Sequence, residues 1–267
     1  MKKKLLIVVL IVMVLVGFTG CLGGQYTDYF NEEYEANENT VLRVTAFNGQ
    51  IEIYNWDDNA LSLNAIKRSR ISQEELDNVD IDVVENADQI EIEALYVGHR
   101  TSQPSVDMNI KVPSYVTVDA LTTSNGAIIV KDVKGDITAL SSNGAINIEN
   151  VDGYVTATTS NGRIDIKSTT GVNNLQSSNG VINAEIYDFQ ENISIHTSNG
   201  GITLYLNPSL NADVEIETSN GQIVTSGIML SLTTNEEKHK IGTLGDGGNK
   251  ITIETSNGDI NIYELEM

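Results

Sequence analysis

Residues 124–141 read SNGAIIVKDVKGDITALS, residues 142–159 read SNGAINIENVDGYVTATT, and residues 160–177 read SNGRIDIKSTTGVNNLQS. Ser-Asn-Gly opens each copy and recurs at 178–180, 198–200, 219–221 and 256–258. From one Asn to the next the steps are 18, 18, 18, 20, 21 and 37 residues. A fixed period with a corner residue in register marks a solenoid. After six of the seven Gly residues an apolar pair brackets one residue: Ile128/Val130, Ile146/Ile148, Ile164/Ile166, then Ile182/Ala184, Ile202/Leu204 and Ile260/Ile262, while Gly221 is followed by Ile223 alone. That alternation places both side chains on one face of a strand. A second Gly (Gly135, Gly153 or Gly171) precedes a second short strand, carried by Ile137/Ala139, Val155/Ala157 and Leu175. The expectation is an all-β parallel β-helix of ~18-residue coils, with two strands and two corners per coil. At ~4.8 Å per coil, seven coils make a rod of about 35 Å.

The corner residues Asn125, Asn143, Asn161, Asn179, Asn199, Asn220 and Asn257 read as a structural ladder. Asn-Gly tolerates positive φ, which predicts that conformation here. Stacked Asn side chains can hydrogen-bond along the rod. A Ser or Thr precedes every tripeptide, which predicts hydroxyl ladders beside the amides. One outward column alternates in sign: Lys131, Glu149, Lys167, Glu185. Opposite charges in register stabilise neighbours by roughly 0.2–1 kcal/mol each, so this column reads as a lock on coil order. A second outward column, Ile129, Asn147, Asp165, Asn183, Thr203 and Asn261, is mostly polar.

Upstream, Val41 to Ala120 shows strand periodicity with one helical turn, at Ser72 to Asn78, where Ser72 reads as N-cap. Phe47-Asn48-Gly49 is a weak copy of the corner. Lys67, Arg68 and Arg70 form the basic cluster of an acidic protein; a solvated strand end and a patch for an anionic polymer are both open readings. Downstream, Met229 to Lys240 reads as a projecting loop. The last strands, around Ile251–Ile253 and Ile260–Ile262, read as closing the rod, with Tyr263 to Met267 as its cap.

The net charge is −21, which excludes the basic footprint that nucleic-acid binding requires. The single cysteine, Cys21, excludes an intrachain disulfide. Lys2, Lys3 and Lys4 precede the apolar run Leu5 to Val16, the layout of a secretory signal. Thr19-Gly20-Cys21 resembles the lipobox of prokaryotic lipoproteins, with Phe18 where Leu is usual. The resemblance implies lipidation of Cys21. The alternative is a retained anchor over Leu5 to Gly23, close to the ~20 residues of a spanning helix. Both place the body outside the cytoplasm on a membrane. The expected organisation is a signal over 1–20, an acidic tether over 21–40 without strand period, a β-rich part over 41–121 and the Ser-Asn-Gly solenoid over 122–267.

The repeated SNG-x-I-x-I coils, Val112-Pro113 and the stretch GDGGNKITIETSNGDINI (245–262) together resemble the putative-adhesin family of β-helical envelope proteins, over Val41 to Met267. The resemblance implies a right-handed parallel β-helix with no established active site. The Gly-rich nonapeptides of calcium-binding β-rolls are missing, and His99, His196 and His239 lack metal-ligand spacing. No cofactor or metal is expected. Asp165 has Asn on both sides in its column, so no carboxylate pair for polysaccharide cleavage appears. The expected function is a non-enzymatic, membrane-anchored surface module with a protein or glycan partner. The alternatives are a carbohydrate-binding or polysaccharide-cleaving β-helix and an envelope-stress accessory protein.

Overall fold

The computed structural model describes residues 25–98 and 104–266. Cys21, His99 and the apolar stretch Leu5 to Gly23 lie outside the described residues.

Two columns of parallel strands meet at the Ser-Asn-Gly corner. In the first column the strands leave the corner: Ile51–Trp56, Ile128–Lys134, Ile146–Thr159, Ile164–Ser177, Ile182–Ile186, Ile202–Leu206 and Ile260–Glu264. Ile128, Ile146, Ile164, Ile182, Ile202 and Ile260 are successive register partners. In the second column the strands enter the corner: Val41–Ala46, Thr117–Thr123, Ile137–Ser141, the later halves of the two long strands, Ile193–Thr197 and Lys250–Thr255. The inward positions of both columns form one buried core. Each fully buried Ile or Leu contributes roughly 1.5–3 kcal/mol. That core explains why the alternation is so regular: a one-residue slip would turn every Ile to solvent. The stack does not break at 121/122. Val44 pairs with Leu121, and Ile51 with Ile128, so the upstream part supplies coils of the same rod.

At both ends the spatial order departs from chain order. The last strands, expected to close the rod, lie inside it. Ile260–Glu264 sits between Ile202–Leu206 and Ile223–Ser226. Lys250–Thr255 likewise sits between Ile193–Thr197 and Ala212–Thr218. The end coil is therefore residues 212–226. Residues 229–240, expected to project as a loop, instead feed a hairpin of Ser231–Asn235 and His239–Leu244, which lies antiparallel on Ala212–Thr218. The same device operates at the other end. Val41–Ala46 lies between Gln89–Tyr96 and Thr117–Thr123, and Ile51–Trp56 lies between Ser105–Pro113 and Ile128–Lys134. Antiparallel strands Ala60–Ser69, Tyr26–Glu35 and Val79–Asn86 lie outermost. A bare end coil would offer unpaired N–H and C=O groups to other chains. Sending the chain out and back covers both columns at the proximal end and the second column at the distal end with antiparallel pairs, while Ile223–Ser226 pairs, among the described residues, only with Ile260–Glu264.

The expected acidic tether is corrected by this arrangement. Tyr26–Glu35 is a strand, paired along its whole length from Tyr26↔Ser69 to Glu35↔Ala60. Among its many exposed side chains, Tyr34 is buried and Phe30 half-buried. The Tyr34 hydroxyl donates to Glu32 Oε2 at 2.8 Å. Burial, and then that carboxylate, push the phenol far above its ordinary range. The helical turn is Gln73–Asp77, and Ser72 Oγ accepts from Glu75 N at 3.3 Å, as an N-cap should.

The distal hairpin is pinned by Glu215. Its Oε2 lies 2.5 Å from Lys250 Nζ and its Oε1 lies 3.2 Å from His239 Nε2. The Lys250 ammonium, then His239, hold the Glu215 carboxyl below its usual range. A depressed carboxyl contributes stability above its unfolded pKa of about 4.3 and loses it as pH falls through the lower folded value. Glu215→Gln should therefore melt below wild type at neutral pH, with the gap closing at acid pH. Melting curves across that range check it.

Candidate interaction face

The corner is built by close approach of backbones. A Cβ added to Gly144 would lie 1.6 Å from Gly126 O, and one added to Gly162 would lie 1.8 Å from Gly144 O. Glycine is required there because the next coil leaves no room. The expected positive φ at Asn-Gly is corrected: among described non-glycine residues it falls on Asp132, Asn150 and Ser168 (φ 57°, 54° and 51°), at the second corner. The expected hydroxyl ladders are corrected too. Thr123, Ser141, Thr159, Ser177, Thr197, Thr218 and Thr255 are buried, and each hydroxyl donates to the corner glycine carbonyl of the adjacent coil, at 2.8–3.2 Å. Ser141, Thr159 and Ser177 also accept from the Gly N–H of their own corner. Each hydroxyl thus ties its own turn to the coil above.

Outside this buried tie runs a row of amides. Asn143, Asn161, Asn179 and Asn199 each donate to the Oδ1 of the preceding corner Asn at 2.6–2.8 Å. Asn257 then donates to Asn199 at 2.8 Å and Asn220 to Asn257 at 3.0 Å, so the row follows the spatial order of coils. All seven corner Asn side chains take part, and Asn125 is the first acceptor.

The outward face of the first column is graded along the rod. Lys111, Tyr54, Lys131, Glu149 and Lys167 line one row in register, and Glu185, Tyr205 and Tyr263 line its continuation beyond the last paired residues, Ile166 and Ala184. At the proximal end Lys111 Nζ lies 5.3 Å from the Trp56 ring centroid and 5.9 Å from that of Tyr54. In the middle, Lys131 Nζ pairs with Glu149 Oε2 at 3.2 Å. Glu185 accepts instead from Ser168 N at 2.9 Å and from Tyr187 Oη at 3.3 Å, and among the described residues Lys167 makes no ion pair. Burial and then the Glu185 carboxylate raise the Tyr187 phenol. At the distal end the Tyr205 and Tyr263 rings stack tilted by 30° with centroids 5.5 Å apart, and Tyr205 is 40% exposed. Beside them runs the polar row, in which Asn183 Nδ2 donates to Asp165 Oδ1 at 2.8 Å and Arg163 pairs with Asp165.

Because Lys167 lies in register with Glu149, Lys167→Glu would set two carboxylates directly opposite, with Glu185 next along the face. It should cost about 0.5–1 kcal/mol at low salt, and the loss should fade at high salt. An unchanged melting temperature at low salt would contradict the register.

The Toastrack DUF4097 family profile matches residues 33–263, which take in both columns and most of the antiparallel strands. The chain belongs to the Toastrack DUF4097 family. No curated protein matches its sequence. Among solved structures it is similar to a putative cell adhesion protein from Clostridium sporogenes, at 16% identity and TM-score 0.40, over 90% of this chain and 100% of that one. A putative adhesin from Bacteroides fragilis follows at 14% and 0.36, over 89% and 97%. A putative lipid binding protein from Parabacteroides distasonis has 13% and 0.36, over 91% and 98%.

The Toastrack fold also joins residues that lie far apart in sequence. His196, Glu254, Glu217 and His239 occupy one row across four adjacent strands. His196 Nδ1 is 3.7 Å from Glu254 Oε2. No spacing rule could find this row, because the swapped coil order creates it. Among the described residues no cluster of three or more His, Cys, Asp or Glu is arranged to hold a metal ion.

Proposed function

We propose that this Toastrack chain is a non-enzymatic, membrane-anchored, extracytoplasmic surface module. Its outward first-column face would contact an extended partner on a neighbouring surface, as an adhesin does. The reading rests on the first-column face, where the exposed Tyr205 ring and the half-buried Tyr263 ring lie beside the row Asn183, Thr203 and Asn261. Flat rings next to amides and hydroxyls suit a polymer laid across the strands, since aromatic side chains bring large contact area with polar tips. A glycan-binding role is the second reading, favoured by the same tyrosine pair. The N-terminal motif supports anchoring, through lipid on Cys21 or a retained Leu5 to Gly23 segment.

Glycan-array binding with product analysis, together with crosslinking of the anchored protein on cells, tests this. Tyr205→Ala with Tyr263→Ala should abolish capture of the crosslinked partner with only a modest fall in melting temperature, the loss of one stacked, half-buried pair. Cleavage of any captured glycan would overturn the non-enzymatic reading. Mass spectrometry of the native N-terminus decides the anchor: a lipidated Cys21 supports the first form, and an intact Met1 supports the second.

A further inference from the structure

The chain enters the described body at Gln25, and Tyr26 is already paired with Ser69 in the outermost antiparallel strand pair. Only residues 22–24 separate Cys21 from Gln25. Four peptide steps span at most about 14 Å. The headgroup layer on each side of a bilayer takes up roughly 6 Å of that. With an anchor at or near Cys21, this end of the rod cannot leave the membrane surface.

The side chains around Gln25 suit that position. A cleft of ≈ 400 Å³ there is lined by Gln25, Arg68, Ser69, Arg70 and Ile71, among others. Arg68 is paired with Asp107, whereas Arg70 is exposed and makes no ion pair among the described residues. Ile71 is 58% exposed and Tyr26 is 42% exposed. An exposed arginine, a tyrosine and an isoleucine together suit an interface where headgroup phosphates meet acyl chains. The rest of the body, strongly acidic, favours pointing away from anionic lipid. We propose that the Gln25 corner is a bilayer-contacting surface, with Arg70 on lipid phosphate and Tyr26 and Ile71 in the interfacial layer. Ten strand-to-strand steps lead from Tyr26–Glu35 along the first column to Ile223–Ser226. At ~4.8 Å each they hold the distal coil about 48 Å away along the sheet. The tyrosine pair would thus be presented outward, toward a partner.

This inference rests on the anchored reading above, and the test separates the two. The full chain is reconstituted in phosphatidylcholine vesicles, with and without phosphatidylglycerol, carrying brominated acyl chains. Ile71→Trp and Val224→Trp each add a fluorophore at an exposed site, and the signal of Trp56 is subtracted using wild type. The expected result is flotation of all three proteins, bromine quenching of the Ile71→Trp probe, and none of the Val224→Trp probe. Arg70→Glu should reduce quenching of the Ile71→Trp probe, most with phosphatidylglycerol present. Flotation without quenching at Ile71→Trp, or equal quenching at both probes, overturns the contact surface alone. Failure to float overturns the anchored reading and the contact surface with it. Quenching unaltered by Arg70→Glu overturns the role given to Arg70.

Discussion

Gly144→Ala should destabilise the rod by roughly 4 kcal/mol or more, or prevent folding. The added methyl would fall 1.6 Å from Gly126 O and 2.3 Å from Gly126 C. Neither atom is free to withdraw. Gly126 O already accepts from Ser141 Oγ at 3.2 Å, and the adjoining Ile128 N donates to Ala145 O at 2.9 Å. Relief would require parting two coils, which breaks strand pairing on both columns and opens the core between them. Gly201→Ala is the matched control, since its nearest non-neighbouring atom is Asp259 O at 3.3 Å. That site should change stability by no more than about 1 kcal/mol, with the loss of chain entropy in the unfolded state working in its favour. Urea denaturation of the two variants checks the contrast. Equal midpoints would mean that the coils are not in contact at the corner glycine.

The same corner shows how far the sequence could be read. Its period, the inward Ile positions and the register of Lys131, Glu149 and Lys167 follow from spacing alone, because a stacked repeat converts a sequence interval into a spatial neighbour. Two things could not be read that way. One was the reason for each residue: Asn-Gly suggested backbone conformation, whereas the glycine answers to a carbonyl in another coil, which no local rule contains. The other was coil order at the ends. The step of 37 residues between Asn220 and Asn257 conceals an antiparallel excursion, and the period carries no information about which coil the returning chain will lie against. The rows that depend on this order, His196 to His239 and Tyr205 with Tyr263, were therefore invisible as rows, although each residue was in plain view. The strand at Tyr26–Glu35 was hidden differently. Its carboxylates suggested a self-repelling spacer, yet at an outermost, one-sided position charged side chains are compatible with pairing and guard the edge.

Thr159→Val should cost about 2–4 kcal/mol, while Asn161→Ala, two residues on, should cost less than about 1 kcal/mol. Both side chains link adjacent coils at the same corner. Thr159 is 2% exposed; its Oγ1 donates to Gly144 O at 3.0 Å and accepts from Gly162 N at 3.2 Å. Valine keeps the shape and removes both partners, so a buried carbonyl and a buried N–H are left without them, each at roughly 1–3 kcal/mol. Asn161 donates to Asn143 at 2.6 Å and accepts from Asn179 at 2.7 Å, but its side chain is exposed. Water replaces what the amide loses. Thr159→Ser restores the hydroxyl and should recover most of the stability, since Ser141 and Ser177 make the same two contacts in the neighbouring coils. Because each coil touches only its neighbours, a mid-rod defect weakens the interfaces on both sides of it. Thr218→Val, in the end coil, should therefore cost less than Thr159→Val. Chemical denaturation of the four variants gives the ranking. If Asn161→Ala proved costlier than Thr159→Val, the exposed amide row would be what holds the coils together, with the buried hydroxyls secondary to it.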